Sequence, residues 1–243
     1  MDGRADRGGA GMIFGRVREI WRYPVSSMGG EKLESAIFAP GGVEGDRLWG
    51  VEVDGAIAAP EKRKVCRPLP DMPARLLGNI PEVLLPSGGW ARADAPEASA
   101  AIAERLAARV RLAPHESLAP RYERLDVHVL TTAALASLAG WISDPAQADP
   151  RRYRPNLVIE TAGGVEGLPE QDLVGRRLEI GEVRVEIVEP CARCALPALG
   201  VDGLAFLPEL IHAVSKRAGG NFGALARIEG SGRIATGDEV RLG

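Results

Sequence analysis

Cysteine and histidine are scarce in this 243-residue chain, with three of each. Three cysteines are too few, and of the wrong parity, to lace a disulfide scaffold. The expected compartment is therefore a reducing cytoplasm, where a thiol stays available. Long hydrophobic runs are missing too, since no apolar stretch approaches the roughly 20 residues that a bilayer-spanning helix needs. Nor is there an excess of positive charge. Lys and Arg number 30 against 33 Asp and Glu, a net charge of −3. That balance argues against a general nucleic-acid or anionic-membrane binder, because both call for a basic face. The opening MDGRADRGGAG has no apolar core of the kind a secretory signal carries, and residues 1–11 read as a disordered leader. No repeat of solenoid period is present. What remains is 45% hydrophobic and 26% charged residues, enough in a chain of this length to bury a sizeable core.

The order of segments points to a β-rich fold. GRVREIWRYPV reads as an entering strand that stops at Pro24. After it come short strands punctuated by Pro40-Gly41-Gly42 and by Asp54-Gly55, the latter a hairpin signal between WGVEV and AIA. Residues 95–110 place Ile102, Leu106 and Val110 at helical spacing. Over 127–142 a strand is expected to end at Thr131 or Thr132, with a threonine capping a helix through Leu135, Leu138 and Trp141. RRYRPNLVIE is a strand entered by way of Pro155. RRLEIGEVRVEIVEP is a hairpin turning at Gly181-Glu182 that delivers the chain into Cys191. A helix is expected over about 207–218, and residues 226–243 as a closing hairpin. The Pro- and Ala-rich stretch 112–121 divides two halves.

The chemistry concentrates in EPCARCALPALG, residues 189–200, which holds Cys191 and Cys194. Four readings compete. Structural zinc needs four ligands at paired spacing, and Cys66, His115, His128 and His212 offer no second pair. A thioredoxin-like redox pair needs a βαβ setting, and this context is β. Spacing alone favours two small core thiols. The fourth reading is a soft-metal site with one protein thiolate, the other sulfurs coming from an organic dithiolene. Such a cofactor is anionic and needs arginines and hydrogen-bonding side chains to grip it. Arg47 in GDRLW, Arg154 and Asn156 in RYRPN, and Arg193 beside the thiol are the candidates.

These segments, in this order, resemble the MOSC family, named from the C-terminal domain of molybdenum cofactor sulfurase. The matching stretches are WRYPVSSMGGEKL (21–33), GVEGDRLWGVEVDG (42–55), HVLTTAALASLA (128–139), RRYRPNLVIE (151–160), EQDLVGRRLEIGEVRVEIVEPCARC (170–194) and GRIATGDEVRL (232–242). The resemblance covers nearly the whole chain after residue 12. It implies a mainly β fold with α decoration: a MOSC-type β-barrel with a few peripheral helices and a smaller N-terminal β portion. The implied division is an N-terminal portion over 12–115 and a MOSC domain over 116–243.

The resemblance also implies a cofactor, the molybdenum cofactor (molybdopterin). In relatives such as the mitochondrial amidoxime reducing component, the second cysteine of Cys-x-Arg-Cys ligates molybdenum, which makes Cys194 the metal ligand and catalytic residue. Arg47, Arg154, Asn156 and Arg193 fall where relatives contact the cofactor. Members of that kind reduce N-hydroxylated small molecules with electrons from a separate electron-transfer protein. The alternative is a carrier that holds cofactor or sulfur on Cys194 without turnover of its own. No Schiff-base lysine stands out to suggest the pyridoxal-phosphate chemistry of the full sulfurase.

Some positions depart from the family pattern. Where relatives often carry a phosphate-binding lysine, this chain has Ser26, and Ser26 and Ser27 offer neutral hydrogen bonds in its place. Ala192 replaces a serine, and Leu173 a tryptophan. Other residues read more plainly. Cys191 is a packing residue, with support of the metal site or sulfur relay as its other use, and Cys66 is structural. Asp172 is a loop carboxylate before it is an acid near the metal, and Trp49 and Tyr153 belong to the core. The three histidines are structural. Arg47 either pairs with Asp46 or meets the cofactor. The run EKRKVCR (61–67) is a solvated face, with docking of an acidic electron-transfer partner as its other use.

Overall fold

The computed structural model describes residues 11–118 and 125–243, so the expected leader lies, but for residue 11, outside the described residues. The first strand, β1 (Ile13–Arg22), buries Phe14, Val17 and Ile20 and leaves charged neighbours outward. Short strands follow: β2 (Glu31–Leu33), β3 (Ser35–Ala39), β4 (Gly42–Val43), β5 (Trp49–Val53) and β6 (Ala56–Ile57). The β5–β6 hairpin turns at Asp54-Gly55, whose φ angles of 51° and 77° suit a two-residue turn between right-twisted strands. Then come β7 (Ala74–Leu77), β8 (Ile80–Leu84), β9 (Trp90–Arg92), α1 (Pro96–Leu106) and β10 (Val110–Pro114).

Here one expectation is corrected, since a single helix does not run from 95 to 110. Ala107 enters the left-handed region (φ 50°, ψ 45°) and caps α1. Val110 is then free to pair with Val53 as a strand residue.

In the second half, β11 (Val127–Thr131) runs straight into α2 (Thr132–Ala139). Thr131 ends the strand and caps the helix, its Oγ1 accepting the Ala134 N–H at 3.1 Å. The chain continues through β12 (Leu157–Thr161), α3 (Pro169–Asp172), β13 (Arg177–Ile180), β14 (Val183–Ala192), α4 (Glu209–Ala218), β15 (Asn221–Glu229), β16 (Gly232–Ala235) and β17 (Glu239–Leu242). The hairpin of β13 and β14 forms as expected. The closing hairpin over 226–243 does not. β16 pairs with β3, and β17 pairs with β13 and β1. Ile234 and Val240 are thereby buried in the central core, and β17 supplies the stave that joins β13 to β1.

Seven strands close in the order β12-β11-β15-β14-β13-β17-β1, with β1 returning to β12 and β2 added outside on β1. Only the β11–β12 pair in this ring is parallel. Closure leaves the ring without a free edge, and the result is the mainly β barrel with a few helices that the sequence implies. Val17, Val129, Ile159, Val185 and Ile187 fill the interior. A second core lies beneath β5, β10 and α1, around Met28, Cys66 and Leu69. A third lies outside the barrel wall, where Leu130, Leu138, Tyr153, Leu210 and Phe222 pack under α2 and α4. Alternation along β11 turns Val127 and Val129 inward, so His128 shares the outer face with Leu130.

Candidate functional site

β14 carries two register shifts, between Ile187 and Glu189 and between Pro190 and Ala192. Bulges re-aim the end of a strand. This one leaves Cys191 buried, and two residues past the strand Cys194 stands exposed. The Arg193 N–H donates to the Gly220 carbonyl at 2.9 Å and fixes the exit.

Cys194 lines a cavity of about 410 Å³ on the outer side of the barrel wall. The second half of the chain contributes Tyr153, Arg154, His128, Cys191 and Arg193 to its wall. The first half contributes Ser26, Ser27, Arg47, Glu61 and Lys62. The structure therefore brings together six of the seven residues singled out in the sequence. The seventh, Asn156, is elsewhere. It is fully buried. Its Oδ1 accepts the His128 N–H at 3.2 Å and its Nδ2 donates to the Trp21 carbonyl at 3.3 Å, which ties β1 to β11 just ahead of β12.

Each arginine is held by the protein. Arg47 keeps its Nε 3.1 Å from Asp46 Oδ2, and Asp46 Oδ1 accepts the Tyr23 N–H at 2.7 Å. The ion pair with Asp46 forms, and the same side chain lines the cavity. Arg154 lies 4.0 Å over the Tyr23 ring and its Nη1 donates to the Met28 carbonyl. Arg193 donates from Nη1 to Cys191 Sγ at 2.8 Å and from Nη2 to the Tyr153 carbonyl at 3.0 Å. Cys191 is buried as expected, and its sulfur also accepts from the guanidinium next to Cys194, the supporting use left open for it.

Backbone strain gathers at the same place. Six described non-glycine residues have positive φ, and three of them, Ser27 (71°), Arg47 (53°) and Arg154 (55°), line this cavity. Such conformations cost roughly 1–3 kcal/mol each and persist where surrounding structure enforces them. Enforcement at three wall positions marks the cavity as a built site.

Its electrostatics favour an anion. Arg47, Arg154, Arg193 and Lys62 face it against the single carboxylate of Glu61, in a chain whose net charge is −3. His128 adds no charge. Burial, and next the Arg193 charge, push its imidazole down to about 3, with the Arg154 and Phe222 carbonyls opposing the shift only in part. Its Nε2 has no hydrogen-bond partner among the described residues, so the plain structural reading of this histidine missed an unsatisfied nitrogen in the cavity wall. Burial likewise raises the Tyr23 and Tyr153 hydroxyls above their ordinary range. Lys62, in the basic run, is exposed like Lys64 and Arg67, and it also lines the cavity. Asp172 is exposed and outside the wall, and Leu173 is buried in the barrel core. Among the described residues no three His, Cys, Asp or Glu side chains gather as a metal cage.

Comparison with known proteins agrees with this fold. Residues 122–241 match the family model of the MOSC domain. The chain carries a MOSC domain. The MOSC family is associated with molybdenum cofactor binding. Among solved structures, the YUAD protein from Bacillus subtilis is similar over 95% of this chain and 96% of its own, at 13% identity and a TM-score of 0.54, which shows the shared fold. YiiM from Geobacillus stearothermophilus is similar over 49% of this chain and 54% of its own, at 18% identity and a TM-score of 0.38. No curated protein matches this MOSC chain significantly. No helix among the described residues is long and apolar enough to cross a membrane.

Proposed function

We propose that this MOSC protein binds a molybdenum–pterin cofactor with Cys194 as its ligand to the metal. We further propose that it reduces N-hydroxylated or N-oxide small molecules with electrons from a separate protein. One observation carries the reading: an exposed thiol shares a cavity of about 410 Å³ with three arginines that protein groups hold in place. That volume lies within the range of about 300–1,000 Å³ usual for small-molecule sites. The donor set fits the cofactor. A single soft thiol suits a soft metal whose remaining sulfur ligands are organic, and fixed guanidinium groups suit a phosphorylated pterin.

In this reading Arg47, Arg154 and Arg193 clasp the anionic cofactor, and Ser26 and Ser27 offer hydroxyls beside them. Arg154 also presents a cation braced against the Tyr23 ring, so its direction is set before the ligand arrives. Asn156 acts at one remove, by fixing His128 and β1 beneath the wall. Cys191 orients Arg193. When bound, the cofactor supplies the redox chemistry, and the protein supplies geometry and access. Three cysteines cannot hold a four-cysteine iron–sulfur cluster, which is why the proposal takes its electrons from a separate protein.

Elemental and pterin analysis tests the reading. Protein purified from molybdenum-replete cells is expected to hold about one metal and one pterin per chain. Cys194→Ala is expected to fold and lose the metal, whereas Cys191→Ala keeps it. Metal-free wild-type protein from such cells would count against the proposal. Turnover of an amidoxime or hydroxylamine with a chemical reductant supports the enzyme, and bound metal without turnover supports the carrier alternative.

A further inference from the structure

The three arginines of the cavity are already engaged with protein groups. Arg47 pairs with Asp46, Arg154 with the Met28 carbonyl and the Tyr23 ring, and Arg193 with Cys191 and the Tyr153 carbonyl. Lys62 is different. It is the fourth cation of the wall, and among the described residues its ammonium makes no ion pair or hydrogen bond. Its backbone, by contrast, is firmly built. The Lys62 and Arg63 N–H groups both donate to the Ala59 carbonyl, at 2.9 and 2.8 Å. Ala58, Ala59 and Pro60 are buried ahead of it, and fully buried Cys66 follows. Arg63 turns inward, its Nη1 donating to the Val53 carbonyl at 2.8 Å. A fixed turn thus holds an exposed ammonium at a cavity to which the first half also brings Arg47 and the neutral hydroxyls of Ser26 and Ser27. Glu61, the carboxylate beside it in the wall, has an interaction of its own within the protein.

We propose that Lys62 is the residue that grips the phosphate group of the ligand, as a point charge acting with the hydroxyls of Ser26 and Ser27. The assignment rests on the metallopterin reading for the identity of the ligand, although the phosphate site itself does not. An ammonium is well suited to a phosphate dianion, because it offers three donors without demanding planar geometry. A lysine delivered from the turn at residues 59–63 thus supplies the cation that position 26 does not.

Two measurements separate the assignment from the reading beneath it. The first titrates the full-length, cofactor-free protein with inorganic phosphate. The second measures the pterin retained through a high-salt wash, as its fluorescent oxidised form. Lys62→Ala is expected to weaken phosphate binding about tenfold and to lose pterin in the wash. Lys62→Arg is expected to retain both. Adding Ser26→Lys to Lys62→Ala is expected to recover binding, since it returns an ammonium to the same wall. Lys62 is exposed, so these variants are expected to melt like the wild type. Should Lys62→Ala bind phosphate and keep pterin as the wild type does, the Lys62 assignment is overturned and the metallopterin reading survives. Should phosphate binding depend on Lys62 while the wild type carries no pterin, the phosphate site stands and the metallopterin reading falls.

Discussion

At position 223 the back of the cavity leaves no room for a side chain. Gly223 lies in β15 at φ +78°, and a Cβ there would sit 2.1 Å from His128 Nε2 and 2.9 Å from the Val129 carbonyl. Gly223→Ala must therefore strain the backbone and displace an imidazole that forms part of the cavity wall. The expected cost is about 2 kcal/mol or more, a fall in melting temperature of at least about 4 °C for a chain of this size. Thermal unfolding measures it, and an unchanged midpoint would show that His128 moves aside freely. Nothing in the sequence announces this contact, because it depends on which face of β11 turns outward and on the backbone conformation of β15. Cys194, Arg193, Arg154 and Arg47 were legible because each sits in a short motif whose order along the chain carries the resemblance. The place of Lys62 in the cavity wall was not, since one cavity-lining cation in a run of basic residues looks like any solvated charge.

Among the elements, the segment after β14 matters most to the site, and it has little regular structure of its own. Its anchor is Arg152, a fully buried arginine that makes no ion pair among the described residues. Nη1 donates to the Pro197 and Leu199 carbonyls at 3.3 and 3.2 Å, and Nη2 to Gln147 Oε1 at 2.6 Å and the Ala205 carbonyl at 2.9 Å. Burial lowers its basicity, yet removing it strands several acceptors. Arg152→Met is expected to destabilise the fold by about 3 kcal/mol. The loss should be most visible as faster hydrogen exchange at the Ala198, Leu199 and Leu207 amides and faster alkylation of Cys194. Unchanged exchange at those amides would argue that the loop holds without it. Elements read well from the sequence wherever local pattern decides them, as in the Thr131 cap and the β13–β14 hairpin. They read badly where a distant partner decides. Val110 follows helical spacing but pairs with Val53, and β16 leaves its neighbour for β3.

Over the whole molecule, two buried titratable groups set opposing responses to pH. Glu170 is fully buried, its Oε2 accepting the Thr131 hydroxyl at 2.6 Å. Burial pushes its carboxyl from 4.5 up to about 7, and the Thr131 hydrogen bond offsets only part of that. His128 moves the other way, from 6.5 down to about 3. Between pH 4.5 and 7 the folded protein keeps a proton on Glu170 that the unfolded chain has released. This group's contribution to stability is therefore full below pH 4.5 and is lost as pH rises through 7. Between pH 6.5 and 3 the unfolded chain binds a proton that folded His128 refuses. That contribution is full above pH 6.5 and is lost as pH falls through 3. From pH 4.5 to 6.5 the two slopes, each about 1.4 kcal/mol per pH unit, have opposite signs and cancel. Glu170→Gln keeps an acceptor for Thr131 and removes one of them. Relative to the wild type, the variant should gain roughly 3 kcal/mol between pH 4.5 and 6.5, with every other titrating group common to both proteins. Urea unfolding at pH 4.5, 5.5, 6.5 and 7.5 gives that difference directly, and parallel profiles for the two proteins would mean that Glu170 is ionised in the fold throughout.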